Sequence, residues 1–257
     1  MSIWSHAWLK AAAIAVVTIL ISSWARAAAP VQVTPVQYVI DKGRPIVSMT
    51  IKSSGDERQL FQVDLREWHV VDGTATLTPV QSGMIVTPPV FEIKGGETQI
   101  VRLGLTGPVD TSAQEKTWRV ILRDISPKPE AGGSTMFVRM NISMPVFLPA
   151  DNPQPINVAT TATWQDDRSI KISCENNSNR HGHIVDATLL DANGDAIVSR
   201  NLSHYVLPQE RNETLLTIPT EDDEQTQALR QATHISLTVR NHVSKEVTDL
   251  VVPLGHK

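Results

Sequence analysis

Apolar and polar residues alternate with a period of two in short runs along nearly the whole of this 257-residue chain, and helical spacing is almost absent. Val31-Gln32-Val33 opens the pattern, and residues 46–51, 61–65, 98–105 and 118–125 continue it. Turn formers separate the runs at Asp72-Gly73, Gly95-Gly96 and Gly132-Gly133. The second half repeats the rhythm at residues 170–174, 184–190, 196–200, 215–218, 235–239 and 247–252, with a turn at Asp191-Ala192-Asn193-Gly194. Only residues 221–231 carry a short helical pattern. About seven short strands per unit with turns between them predict immunoglobulin-like antiparallel sandwiches, so the fold class expected is all-β.

Two sandwiches are expected in series. Residues 149–155 (PADNPQP) hold three prolines and no apolar pair, which predicts a short, stiff elbow. At the other end, residues 1–27 stand apart from the fold. Lys10 closes a short start, residues 11–22 are an unbroken small and apolar run, and Ala25-Arg26-Ala27 supplies a small-x-small cleavage pattern. That apolar run is shorter than the roughly 20 residues of a membrane span, so a signal peptide cleaved after Ala27 is expected. The domains expected are then 28–149 and 150–257, each of roughly 115 residues, an ordinary domain size.

Export bounds the chemistry. The cleaved segment removes Lys10 and Arg26 and no acid, which takes the formal charge two below its value of −4 and leaves a chain unsuited to nucleic acid. Cys174 is the single cysteine, so no internal disulfide can form, and the 41% of apolar residues must supply the cores. Cys174 sits between strand residues Ile170, Ile172 and the next turn, which predicts a buried small hydrophobe rather than a nucleophile. His181-Gly182-His183, with His204, His234 and His242 elsewhere, lacks a cysteine or acid at metal spacing and reads as a turn. The acidic run Glu221-Asp222-Asp223-Glu224 reads as a solvated loop or helix start. No G-x-S-x-G elbow, phosphate loop or H-E-x-x-H helix is present, so neither catalysis nor a metal or other cofactor is expected.

Residues 134–148 are the most informative segment. Met136, Val138, Met140, Ile142, Met144 and Val146 occupy the even positions, while Arg139, Asn141 and Ser143 stand among the odd ones. The run is about twice the length of a typical strand. A long final strand packed on its own core is one reading. The other is a strand offered to partners: flexible thioethers fit varied surfaces, and a long apolar edge is a hazard unless it has a use.

Thr87-Pro88-Pro89-Val90, then Gly96, Val101-Arg102-Leu103, residues 118–124 (WRVILRD) and the long alternating strand resemble the first domain of the periplasmic chaperones of the chaperone-usher pilus pathway. Residues 176–184 (NNSNRHGHI), Tyr205-Val206-Leu207-Pro208 and residues 144–149 (MPVFLP) are similar to the archaic or alternative branch. The resemblance covers essentially the whole mature chain. It implies donor-strand complementation in the periplasm: a pilin lacking its last strand would take a chaperone strand into its groove, with Met136, Val138, Met140, Ile142 and Met144 filling successive pockets. The implied partners are pilin subunits and the outer-membrane usher.

The family anchors the subunit's terminal carboxylate with an arginine and a lysine, and those positions align with the neutral Gln37 and Ser143. Either the anchor has moved or neutral donors hold the carboxylate. Arg119 and Arg139 lie on the strands flanking the expected cleft and are candidate replacements, although both also read as ordinary solvent-facing arginines. Thr87, Pro88, Pro89 and Arg102 match the family's usher-contact patch, with a purely structural edge as the alternative. A secreted two-domain adhesion or binding module is the rival function, but it would not need a methionine-rich edge ahead of a proline elbow.

Overall fold

The computed structural model describes residues 31–54, 58–81, 83–127, 139–219 and 223–255. The expected signal peptide and its cleavage site, the Gly132-Gly133 turn, Met136, Val138 and the acidic residues Glu221 and Asp222 lie outside the described residues.

The first domain contains β1 (Val31–Thr34), β2 (Tyr38–Val39), β3 (Ile46–Ser53), β4 (Gln59–Val71), β5 (Thr74–Pro79), β6 (Met84–Thr87), β7 (Val90–Ile93), β8 (Thr98–Leu105), β9 (Lys116–Asp124) and β10 (Asn141–Leu148). They form two facing sheets, one ordered β1-β3-β8-β6 and the other β2-β10-β9-β4-β5, with β7 also paired to β4. Alternation drives the packing: Met49 and Ile51 on β3, Val101 and Leu103 on β8, Phe61 and Val63 on β4, and Val120 and Leu122 on β9 all point into one core. β4 runs much further than residues 61–65. Its extension turns into β5 through Asp72 and Gly73, whose φ values of 51° and 80° fit the mirror-image turn that matches strand twist.

The second domain holds β11 (Val158–Asp166), β12 (Ser169–Asn176), β13 (Gly182–Leu190), β14 (Ala196–Val206), β15 (Arg211–Thr217), α1 (Asp223–Leu229), β16 (His234–Arg240) and β17 (Val247–Gly255). Their order is β14-β13-β16-β17-β11-β12-β15. β17 joins the two leaves of this sandwich, pairing antiparallel with β16 along most of its length and parallel with β11 through Leu254 and Gly255. A separate core gathers Ile170, Ile172, Cys174, Ile184, Leu237 and Val239. Cys174 is buried, with Sγ 3.9 Å from the Thr160 hydroxyl, and burial pushes its thiol pKa up.

His181-Gly182-His183 is not the turn expected from its sequence. The turn is made by residues 177–180, and Gly182 and His183 open β13, all buried. Asn176 organises that turn: its amide donates to the carbonyls of Arg180 (2.9 Å) and Val206 (2.8 Å), and its Oδ1 accepts from the N–H (2.9 Å) and hydroxyl (2.6 Å) of Ser178. The side chain is thus a buried hub whose loss strands several polar groups, each at about 1–3 kcal/mol. Asn176→Ala is expected to lower unfolding free energy by about 3 kcal/mol in urea titration with an unchanged denaturant slope. A loss under about 1 kcal/mol would show that water replaces the amide.

Candidate functional site

β10 is paired on one side only for most of its length. β9 lies against it from Asn141 opposite Arg123 to Leu148 opposite Lys116. On its other side only Val146 and Phe147 have a partner, the short parallel β2. Among the described residues, the Asn141–Pro145 backbone therefore presents an open sheet edge. The ladder continues just before the strand, where the Met140 carbonyl accepts from the Asp124 N–H at 2.9 Å.

The apolar stripe of β10 divides into two parts. Met140 is half-buried, and Ile142 packs partly against the core. Met144 is only 1% exposed, with the Tyr38 hydroxyl 4.0 Å from its Sδ, and Val146 and Leu148 are buried beside it. Met144 is therefore a core residue of its own domain and not a pocket filler, because β2 and the facing sheet close over it. The opposite face carries the exposed Asn141 and Ser143, then Pro145 and Phe147.

That outer face carries three arginines of β4 and β9. Arg66 and Arg123 both reach Asp64, at 2.7 and 3.5 Å. Arg119 has no carboxylate partner among the described residues. Its guanidinium lies over the Trp68 ring, 3.9 Å from the centroid, and 5.4 Å from that of Tyr205, and burial pulls its pKa down. Arg119 faces Pro145 across the ladder. Continuing the β2 register by one residue sets Gln37 beside Pro145, so Gln37 and Arg119 share one row and one face, about 10 Å apart. Ser143 lies one step along that face.

Arg139 is elsewhere. It precedes β10 by two residues, is exposed, and donates to the Ser126 carbonyl at 3.2 Å. Six residue steps lead from it to Pro145, which puts it about 20 Å from Arg119 along the strand direction. One carboxylate cannot span that distance, so the two arginines do not form a joint anchor.

Below Arg119 the two domains meet in an aromatic seam. Trp68, Phe147 and Leu207 pack together. Phe147 stacks on His181 with centroids 3.8 Å apart, and His183 stacks on Tyr205 at 3.8 Å. The buried Glu115 accepts from the His181 backbone N–H at 2.5 Å and from its Nδ1 at 2.9 Å. His181 Nε2 accepts from the His242 N–H, which fixes the tautomer with the proton on Nδ1. The elbow is pinned from both sides, with Asp151 held by Lys42 and Thr111 and Gln154 donating to Asn179. Sequence spacing held no signal for Glu115, since a lone acid in a loop announces no partner.

Residues 30–154 match the family model described as pili and flagellar-assembly chaperone, PapD N-terminal domain. Over those residues, just under half of the chain, the sequence is similar to this chaperone family. Comparison with curated protein sequences finds no significant match. Among solved structures, a chain of the CsuC–CsuE chaperone–tip adhesion subunit pre-assembly complex from archaic chaperone-usher Csu pili of Acinetobacter baumannii gives a TM-score of 0.58 at 14% identity, covering 90% of this chain and 100% of the other. A chain of the Salmonella enterica SafA pilin–SafB chaperone complex gives 0.58 at 16%, covering 90% and 99%. The Pseudomonas aeruginosa CupB2 chaperone gives 0.53 at 11%, covering 87% and 100%. At such identities the likeness is one of fold, here two immunoglobulin-like domains.

On the far sheet of the first domain, Thr87 pairs with Arg102 across β6 and β8, both exposed, and Pro88 and Pro89 follow directly. Ile85, Ile46 and Ile100 share that outer face, with Ile85 and Ile46 flanking Gly104. The four patch residues are thus contiguous, at the end of the edge strand β6, just beyond it, and on its neighbour β8. The second-domain histidines have partners of their own: His183 Nδ1 and His242 Nε2 lie 2.6 Å apart and share a hydrogen, His204 bonds Asn212, and His234 bonds Thr233, and among the described residues no group of histidines, cysteines and acids is arranged to hold a metal ion.

The seam histidines impose a pH dependence. Burial first, then the neighbouring His242, His181, Arg119 and His204, push the His183 pKa down to about 3. Burial, then His181 and Arg240, bring His242 to about 4. Both values lie below the usual 6.5, so the unfolded chain takes up these protons first. Stability is full above about pH 6.5 and falls as the pH drops toward about 4 and then 3. The melting temperature is expected to be flat from pH 7 to 8 and to decline between about 6.5 and 5, before carboxylates titrate; His242→Gln should flatten part of that decline. An unchanged slope in the variant would assign the effect elsewhere.

Proposed function

We propose that this protein is a periplasmic chaperone that lends the open edge of β10 to pilin subunits by donor-strand complementation and delivers them to an outer-membrane usher. One observation carries the reading: among the described residues Asn141–Pro145 has a ladder partner on one side only, while Met140 and Ile142 beside and within that segment leave apolar surface incompletely covered. A subunit strand added at that edge would satisfy the free backbone groups and cover both side chains, each burial contributing about 1.5–3 kcal/mol before ordering costs. Met136 and Val138 extend the stripe in sequence. The complexes of CsuC with CsuE and of SafB with SafA support a pilus subunit as the partner class.

Arg119 is the proposed anchor for the subunit's terminal carboxylate, with Gln37 and Ser143 as neutral donors on the same face. A half-buried guanidinium without an internal carboxylate is suited to an external one, and it can bind it through two parallel hydrogen bonds. Thr87, Pro88, Pro89 and Arg102 are the proposed usher contact, rimmed by the exposed Ile85 and Ile46.

The test is co-purification of a co-expressed pilin with single variants, with circular dichroism and melting of the free chaperone. Met140→Glu is expected to abolish the complex and leave the chaperone folded, because it puts an unpaired charge in an apolar pocket only when a subunit is bound. Ile142→Glu should do the same with a modest drop in melting temperature, and Asn141→Glu should be silent. Met144→Glu should instead unfold the free protein, since that methionine fills its own core. Retained pilin with Met140→Glu and Ile142→Glu would sink the donor-strand reading.

The export proposal has its own check. The mature protein is expected to begin at Ala28 and to be released by osmotic shock, as read by mass spectrometry of the shock fluid. Recovery with Met1 retained would overturn it.

A further inference from the structure

Arg119 is held by rings from both domains. Trp68 comes from β4 of the first and Tyr205 from β14 of the second, and the two rings meet edge to face with centroids 5.5 Å apart. Tyr205 is in turn oriented by its own domain: its ring stacks on His183 with 4° between the planes, and His183 is tied to Ser203 at 3.1 Å and to His242 at 2.6 Å. The plane of Tyr205 is therefore set within the second domain, while its contact with Arg119 exists only because the domains are docked.

A half-buried cation without a counter-ion needs compensation for lost water. Aromatic faces supply part of it and still leave the guanidinium hydrogens unclaimed, because the ring takes the flat face and not the N–H edge. His183 adds no second cation at neutral pH, since burial keeps it neutral. The arrangement thus orients Arg119 without satisfying it.

We propose that Tyr205 is a positioning residue of the carboxylate anchor: together with Trp68 it fixes the Arg119 guanidinium across the domain seam, so that the anion site is assembled only in the docked two-domain arrangement. This rests on the reading of Arg119 as the anchor. It gives the second domain a part in subunit binding although β10 belongs wholly to the first. It also makes recognition of a chain terminus sensitive to the angle between the domains.

The probe is an N-acetylated alternating valine-threonine peptide made with a free C-terminal carboxylate and, separately, as the C-terminal amide. Affinities of the full mature chaperone for both are measured by calorimetry, and the readout is their ratio. The unaltered protein is expected to favour the acid about tenfold, the range of one charge-assisted contact. Arg119→Ala should bring the ratio near one, Tyr205→Leu should lower it to about twofold or less, and Tyr205→Phe should restore it, since the phenyl ring keeps the face that holds the guanidinium. Tyr205→Met, of similar bulk without a π face, serves in place of leucine if that variant does not fold. A ratio unchanged in Tyr205→Leu, including one in which both affinities fall together, overturns the role of Tyr205 and leaves the anchor standing if Arg119→Ala still abolishes the preference. Loss in Tyr205→Phe equal to that in leucine would assign the effect to the hydroxyl and overturn positioning by the ring. A ratio untouched by Arg119→Ala overturns the anchor reading itself.

Discussion

Strand β10 must satisfy three surfaces at once, and a strand offers only two faces and two edges with which to do it. Its inward side chains, Met144, Val146 and Leu148, complete the first domain's core. Phe147, pointing the other way, stacks on His181 and so joins the domains. One edge is claimed by β9, and among the described residues the other is left open along Asn141–Pro145. Because side chains alternate strictly, these assignments cannot be traded: moving the register by one residue would send the core methionine into the seam and the seam phenylalanine into the core. The open edge is therefore held rigidly in place by packing at the strand's other end.

The seam shows how buried polar groups are kept tolerable. Glu115 is fully enclosed, yet both a backbone N–H and an imidazole N–H of His181 point at it, and His181 is stacked and hydrogen-bonded on its remaining sides. Each buried donor or acceptor of that set has a partner, which is the condition under which such a network specifies one geometry and not several. Arg66 and Arg123 meet the same condition through Asp64. Arg119 departs from it, and a cation compensated by rings alone is the place on this face where an external anion has most to offer.

Much of this was legible from residue order. Alternation located most of the strands, though not β2, β5, β6, β7 or β11, the Asp72-Gly73 pair predicted a turn that needs two positive φ values, and the prolines of residues 149–155 fall between β10 and β11. The stripe of even residues was equally plain as far as its polarity went. Where it ceased to be surface was not, because Met140 and Met144 are the same residue in the same pattern, and only the presence of Tyr38 and the facing sheet over Met144 separates them. The histidine-glycine-histidine segment misled for a related reason: small and polar residues mark turns by local preference, whereas here Glu115 and Asn241, far away in sequence, bury the segment at the start of a strand.

Sequence by itself determined the all-β class, two successive sandwiches and the family resemblance, since each depends on local periodicity, turn chemistry or a run of neighbouring residues. Tertiary structure alone separated the two candidate arginines. Arg119 and Arg139 looked equivalent as cations on neighbouring strands, but antiparallel register puts them about 20 Å apart and brings Trp68 and Tyr205 to only one of them. Such a meeting depends on strand offset and on the docking of two domains, and neither is written in the spacing of residues along the chain.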